Sequence, residues 1–275
     1  MNQRSFIQKV LDIIPLRIRS KVKYIPVVRQ VQAFIMKRYM HGKEFIATIS
    51  AGPAKGLVFP VKLPQDKYMW IGTWEIDFAN ALQQYVQAGW VCYDIGGYKG
   101  YYAGVMAMKG AKEVYVFEPM PANAEKITKL IELNPSLPIH LKQYAVSDSN
   151  GTATFQLMPE ETMGKLENSS FQKEDIALTS ITVETITLDT LAEKGVPAPD
   201  FIKIDVEGAE EFVLAGAANM LSQKKPFLMI EIHSPAIGKR CLDTLQKYYQ
   251  HIFVLETGAS PKGTETEICH YIAYN

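Results

Sequence analysis

The chain has 275 residues, 47% of them hydrophobic and 21% charged, with a formal net charge of zero. This is the balance of an ordinary soluble globular protein, long enough for one large α/β domain with an N-terminal extension rather than two full domains. No run of about 18 apolar residues occurs, so no bilayer span is expected; the N-terminal apolar stretch is broken by Asp12 and does not read as a secretory signal; and Cys92, Cys241 and Cys269, without metal-like spacing, point to a reducing, cytoplasmic setting rather than a disulfide framework.

The charge is unevenly spread. Up to His41 nine Lys and Arg stand against Asp12 alone, so this arm carries +8 and the rest of the chain −8. A basic arm on an acidic body suggests an anionic partner. The readings are peripheral membrane contact or contact with a second copy of the chain through residues 1–41, with nucleic acid the least favoured. Apolar residues at helical spacing, interrupted by Pro15 and Pro26, predict two short amphipathic helices there.

Three stretches follow: residues 1–43 as the basic helical extension, 44–90 as a β-hairpin and a helix, and 91–275 as the main domain with an insertion at 151–187. Residues 45–49 and 57–61 predict the hairpin, with Gly52-Pro53 and Lys55-Gly56 at its turn. A helix is expected from Asp77 to Ala88, closed by Gly89. Strands and helices then alternate: strand 91–94, helix 101–108, strand 113–117, helix 121–133, strand 139–141. That spacing predicts parallel strands joined by right-handed crossovers. The insertion breaks the rhythm, because 152–157 and 180–186 alternate with period two, as antiparallel strands do. The polar loop between them, Pro159 to Thr179, reads as a lid or a mobile segment. Parallel order resumes with strand 201–205, helix 209–221, strand 227–232, helix 238–248, and final strands 251–255 and 268–273.

Ligands of an open parallel sheet lie beyond the carboxyl ends of its strands. Here those ends carry Asp94, Glu118, the turn 145–148, Asp205 with Glu207, and Glu231 with His233. The first strand runs through Asp94 into Gly96-Gly97-Tyr98-Lys99-Gly100, a tight turn where backbone can approach a ligand. Glu118 follows Asp94 by 24 positions, the distance at which a carboxylate meets a nucleoside ribose. A nicotinamide dinucleotide would need the G-x-G-x-x-G frame, which is absent, and Asp94 would repel its pyrophosphate. S-adenosylmethionine carries no phosphate and two cationic groups, so an acidic strand end favours it.

Asp94-Ile95-Gly96-Gly97-Tyr98-Lys99-Gly100-Tyr101-Tyr102, Phe117-Glu118-Pro119, Ala145-Val146-Ser147-Asp148, Leu188-Asp189-Thr190-Leu191, Ile202-Lys203-Ile204-Asp205-Val206-Glu207-Gly208-Ala209-Glu210 and Glu231-Ile232-His233 together resemble the FkbM family of S-adenosylmethionine-dependent methyltransferases, in that family's order and over about residues 72–256. The resemblance implies a class I methyltransferase fold, a Rossmann-like three-layer α/β sandwich on a seven-stranded, mostly parallel sheet with an antiparallel last strand. It also implies methyl transfer to a hydroxyl of a sugar, polyketide or related metabolite. At Gly97 and Tyr98 the family more usually shows Ala-Asn.

The expected cofactor-binding residues are Glu75, Asp94, Gly96, Gly97, Gly100, Tyr101, Glu118, Pro119, Ala145, Val146 and Asp205, with Asp94 bonding the cofactor's amino group directly or through water. The expected catalytic residues are His233, Asp205, Glu231 and Glu207. His233 is the first choice of general base, because an unperturbed imidazole titrates near neutrality. A divalent cation on Asp205, Glu207, Glu231 and His233 is an alternative, but no tight ligand spacing supports it and no metal site is predicted. Trp74, Tyr98, Tyr101 and Tyr102 are candidates to stack on an acceptor, or else core aromatics. Two rival readings stand beside this one: an NAD(P)-dependent oxidoreductase on a similar sheet, and a non-catalytic scaffold that binds membrane or nucleic acid through its arm.

Overall fold

Strands covered by helices on both faces need largely apolar runs, and Val91–Ile95 and Phe201–Ile204, apolar but for Asp94 and Lys203, are buried at every position. They form the centre of a computed structural model that describes residues 42–157, 164–166 and 179–275. The helices expected before residue 42, and most of the polar loop expected at 159–179, lie outside the described residues.

The described chain begins with an antiparallel hairpin, β1 (Glu44–Thr48) and β2 (Val58–Lys62). Next come α1 (Lys67–Ile71) and α2 (Ile76–Tyr85), then β3 (Val91–Ile95), α3 (Tyr101–Lys109), β4 (Glu113–Phe117), α4 (Pro121–Leu133) and β5 (Ile139–Lys142). β6 (Ala145–Val146), β7 (Gly151–Leu157), β8 (Gly164–Leu166) and β9 (Thr179–Ile186) form a separate four-stranded sheet, in which β7 and β9 are antiparallel as their alternation predicts. The main fold continues with α5 (Leu188–Glu193), β10 (Phe201–Ile204), α6 (Glu210–Ala215), α7 (Ala218–Gln223), β11 (Phe227–Ile232), α8 (Pro235–Leu245), β12 (His251–Val254) and β13 (Cys269–Tyr274).

The main sheet has seven strands in the order β12-β13-β11-β10-β3-β4-β5. Only β13 runs against its neighbours β11 and β12, so the expected class I architecture is present. Side chains alternate between two cores. Cys92 and Phe201 face the side packed by α2, α3, α4 and the hairpin, with Leu82, Val105 and Ile127, while Tyr93 and Ile202 face Val213, Leu221 and Leu242 of α6, α7 and α8. The hairpin is tied to α4 by Asn134, whose side chain accepts from Val58 N at 3.0 Å and donates to Val58 O at 2.8 Å.

Several helix ends differ from expectation. α2 stops at Tyr85 instead of Ala88, because buried Val86 is extended and leads the chain toward β3. The helix expected over 209–221 is two pieces. The Gly216 carbonyl accepts from Asp189 N at 3.1 Å, and a Cβ at Gly216 would overlap the Ser147 carbonyl, so only glycine fits where the helix breaks. α8 starts three residues earlier than expected, at Pro235, where Ser234 Oγ accepts from Ile237 N at 3.4 Å. α1 and α5 are too short to show a period; Thr187 Oγ1 caps α5, accepting from Thr190 N at 3.1 Å.

Candidate active site

The connections from β3 lead outward through β4 to β5, whereas β10 and β11 lie on the other side of β3. Strand order therefore reverses between β3 and β10, and ligands of such sheets bind where it reverses. A crevice of about 950 Å3 opens there, within the size range of small-molecule sites.

The turn after β3 is fixed by backbone. Gly96 N and Gly97 N both donate to Phe117 O, at 3.0 and 3.2 Å. Gly96 has φ +79, and a Cβ on it would overlap the Asp205 carbonyl, so the glycine turn and the end of β10 lie backbone against backbone. At Gly97 a Cβ would run into Val116 Cγ1. Gly97→Ala is thus expected to destabilise by about 1–3 kcal/mol. Val116→Ala in the same chain should recover part of that loss, which thermal melts of the two single variants and the double variant would test.

Glu118 stands just beyond β4 on the crevice wall. Its Oε2 accepts from Tyr98 N and its Oε1 from Met120 N, both at 2.9 Å. Burial pushes its carboxyl up to about 7, against the downward pull of those N–H groups. Gly96, Gly97, Pro119, Ala145 and Val146 also line the crevice. Tyr101 lines it too, and its hydroxyl is buried with no hydrogen-bond partner among the described residues. Glu75 lines the opposite wall and accepts a hydrogen bond from the Tyr102 hydroxyl.

Two expected cofactor residues stand behind the crevice instead. Gly100 is the N-cap of α3 and packs against Leu130 and Ile127. Asp94 is fully buried and paired with Lys203, whose Nζ is 3.2 Å away, so its side chain does not reach the crevice where a cofactor's amino group would lie. Asp94 and Lys203 are direct partners in the β3–β10 ladder, and alternation turns both toward α3. Lys203 Nζ also donates to Gly96 O at 2.8 Å, reaches Asp205 Oδ2 at 3.3 Å and lies 5.4 Å from the Tyr102 ring. Burial pulls this ammonium down, but Asp94 and Asp205 more than offset that and hold it above the ordinary lysine value. A lysine in an otherwise apolar four-residue strand was the legible signal for this linchpin, which the motif reading passed over.

The other end of the crevice is acidic. Asp205, Glu207 and Glu231 all line it, with side chains 25%, 30% and 17% exposed. Burial and the charges of Glu231 and Glu207 push Asp205 up to about 7, against the pull of Lys203 and His233. Glu231 is set opposite His270 in the β11–β13 ladder. Burial would raise Glu231, but the neighbouring His270 and His233 imidazoles bring it below its ordinary value.

His233 sits behind these carboxylates, buried, with Nδ1 2.6 Å from Glu210 Oε1. Burial pulls the imidazole down, but Glu210, Asp205 and Glu231 outweigh it and raise it to about 9. The imidazole itself is not part of the crevice lining, which Asp205, Glu207 and Glu231 form in front of it, and that placement argues against the expected general-base role. Glu210 stands out in the sequence only as the end of the family stretch, without a role, and His270 not at all, because their effect depends on strand pairing and side-chain contact rather than spacing.

Backbone strain collects at this site. Of the four non-glycine residues at positive φ among the described residues, Glu75, Tyr98 and Glu207 line the crevice. Each such conformation costs on the order of 1–3 kcal/mol and persists where the surroundings impose it, commonly at functional sites. Tyr98 occupies a position where asparagine would be better tolerated.

Residues 94–257, more than half of the chain, match the model of the methyltransferase FkbM domain. A hexuronic acid methyltransferase, AglP of Haloferax volcanii, is 33% identical over 161 residues, covering 58% of this chain and 63% of that protein, so the chain spans less than two thirds of the relative's length. A solved FkbM methyltransferase from Methylobacillus flagellatus KT is 19% identical, covers 67% of this chain and 43% of that chain, and superposes with a TM-score of 0.44. A precorrin-6y C5,15-methyltransferase from Geobacter metallireducens GS-15 is 11% identical over 76% of this chain and 92% of that one, with a TM-score of 0.44. By the length of the matched segment, the protein belongs to the methyltransferase FkbM domain family.

Proposed function

We propose that this protein is a S-adenosylmethionine-dependent O-methyltransferase acting on a sugar hydroxyl. The observation that carries the reading is one crevice with a buried carboxylate, Glu118, beyond the second strand and an acidic cluster beyond the fourth and fifth. The similarity to a hexuronic acid methyltransferase favours a sugar or glycan acceptor over other hydroxyl compounds.

The crevice fits S-adenosylmethionine on two observations. Glu118 retains lone pairs for ribose hydroxyls beyond those used by Tyr98 and Met120, and the unsatisfied Tyr101 hydroxyl gains from a polar ligand atom. When bound, this cofactor supplies a methyl group on a sulfonium; the acceptor oxygen bonds to that carbon as the carbon–sulfur bond breaks, leaving S-adenosylhomocysteine. Lys99 and Lys203, the cations beside the glycine turn, are each paired with a carboxylate, Asp66 and Asp94, which suits a ligand without phosphate better than a dinucleotide.

The chain's own task is to orient the hydroxyl and take its proton. Glu207 is the residue assigned to that proton. It has the most exposed carboxylate of the acidic cluster, faces the crevice, and is held there by a turn at φ +51. Glu231 and Asp205 orient the hydroxyl beside it.

In thermal-shift and calorimetric tests S-adenosylhomocysteine should stabilise the protein, whereas NAD and NADP should not; the reverse result would restore the oxidoreductase reading. Glu118→Gln should weaken S-adenosylhomocysteine by about 1.5–3 kcal/mol, roughly 10- to 100-fold, the range for a hydrogen bond to a charged group. The wild-type affinity should depend on pH. Ribose hydroxyls donate to the ionised carboxyl, and Glu118 in the free protein titrates near 7. Affinity should therefore fall by up to about tenfold per unit below that pH and level off above it, and Glu118→Gln should flatten the profile.

A further inference from the structure

We propose that Asp205, Glu231 and His233 hold a divalent cation at the acidic end of the crevice, positioned to bind the acceptor hydroxyl. The ligand atoms come from two neighbouring parallel strands, Asp205 just beyond β10, Glu231 and His233 at the end of β11. One ligand atom from each residue lies within 4.8 Å of the others.

The histidine is oriented as a ligand rather than as a surface base. Its Nδ1 is 2.6 Å from Glu210 Oε1, and Glu210 is fully buried and also accepts from Gly208 N at 3.1 Å. This fixes the ring so that Nε2 faces the acidic cluster, 3.8 Å from Asp205 Oδ1 and 3.6 Å from both Glu231 Oε1 and Glu207 Oε2. Those separations are longer than a hydrogen bond. They are close to the spacing of two atoms that share one ion, since ligands about 2.1 Å from a metal stand roughly 3.0–3.4 Å apart. A carboxylate behind a histidine, with the histidine's other nitrogen turned to an ion, is a recurring arrangement of metal sites.

Neighbouring groups hold the second ligand as well. His270 lies 3.6 Å from Glu231 Oε2, on the side away from Oε1, and is itself paired with Glu256 through Nδ1 at 2.5 Å. Two carboxylate oxygens and one imidazole nitrogen suit a hard or borderline ion such as Mn2+ or Mg2+. The crowding of Asp205, Glu207 and Glu231 is relieved by a cation among them. An acceptor hydroxyl on that ion would become more acidic and would give its proton to Glu207. This catalytic role rests on the methyl-transfer reading, but the cation site does not.

The test is a titration of the full chain, freed of metal with a chelator, with Mn2+ alone, following the free-ion signal by electron paramagnetic resonance. One Mn2+ should bind per chain. Glu231→Gln and Asp205→Asn should raise its Kd at least about tenfold, and Glu210→Gln, which acts through His233, about 10- to 100-fold. Glu118→Gln should leave Mn2+ binding unchanged while weakening S-adenosylhomocysteine. Cooperative melting of each variant is the folding control; should Asp205→Asn fail it, the more peripheral Glu231→Gln decides. Wild-type protein that binds S-adenosylhomocysteine but no Mn2+ at millimolar concentration overturns the cation site and leaves the methyltransferase reading standing. Equal Mn2+ binding by wild type and a folded Glu231→Gln also overturns it. Mn2+ binding without S-adenosylhomocysteine binding supports the site and sinks the cofactor assignment.

Discussion

Lys203→Met should lower the unfolding free energy by about 3–5 kcal/mol, the cost of removing one partner of a buried ion pair. Methionine fills much of the same space, so the loss is electrostatic rather than a cavity. Asp94 would keep its fully buried position with no cation beside it, and Gly96 O would lose its donor. The deficit should depend on pH. Burial already raises the Asp94 carboxyl, and without Lys203 it is raised further. A carboxyl whose folded value lies above its unfolded value contributes stability that is present below the unfolded value, about 3.9, and is lost as pH rises through the folded value. Denaturant melts of the variant should therefore approach wild type near pH 4 and diverge from it toward pH 8. Adding Asp94→Asn to Lys203→Met should recover part of the loss at neutral pH, and full additivity of the two changes would refute the pairing.

Glu207→Gln should reduce turnover by about 100- to 10,000-fold, the usual contribution of a positioned general base. The change preserves the shape of the side chain and the backbone turn and removes only the charge. S-adenosylhomocysteine affinity should stay within a few-fold of wild type, because Glu118, the carboxylate assigned to the ribose, stands beyond β4 and is left unchanged. The assay is formation of a methyl ether on a hexuronic acid glycoside, with methyl counted from labelled S-adenosylmethionine. Near-wild-type turnover would move the proton to another acceptor. His233→Gln is the informative companion: a base at His233 predicts a loss as large as that of Glu207→Gln, whereas a supporting position predicts a smaller one.

The core of the sheet was legible because its signals are local. Val91–Ile95, Glu113–Phe117, Pro121–Leu133 and Phe227–Ile232 announce themselves by apolar runs and by a proline at a helix start, and Glu118 by its distance from Asp94. The acidic end was legible as a set of residues, though not as an arrangement. Asp205, Glu207 and Glu231 were placed in one crevice by strand order alone, but the setting of His233 behind them depends on Glu210, two residues past Gly208 at the start of α6 and brought to the imidazole by packing. Asp94 shows the same limit: strand position put it at the ligand, and the side-chain alternation of a neighbouring strand gave it to Lys203 instead. Helix breaks were hidden for a related reason, since Gly216 meets Ser147 from a distant part of the chain.

The two walls of the crevice differ in how they are built. One is the sheet's own backbone, in which Gly96 and Asp205 interlock and admit almost no change. The other, with Pro60, Gln65, Met69 and Trp74, comes from the hairpin, α1 and the segment after it, ahead of the stretch that matches the family; it shares an apolar core with α3 and α4 through Leu57, Phe59 and Met69 and is tied further by side chains, Asp66 to Lys99, Glu75 to Tyr102, and Asn134 to Val58. Because that wall lies ahead of the matched stretch, the side chains it turns to the crevice are an exchangeable part, provided its core face and anchors are kept. Residues 44–75 grafted from a relative that keeps those anchors could re-shape what the crevice admits while the interlocked half carries on unchanged, so new acceptors are reached here by swapping a cover rather than rebuilding a machine.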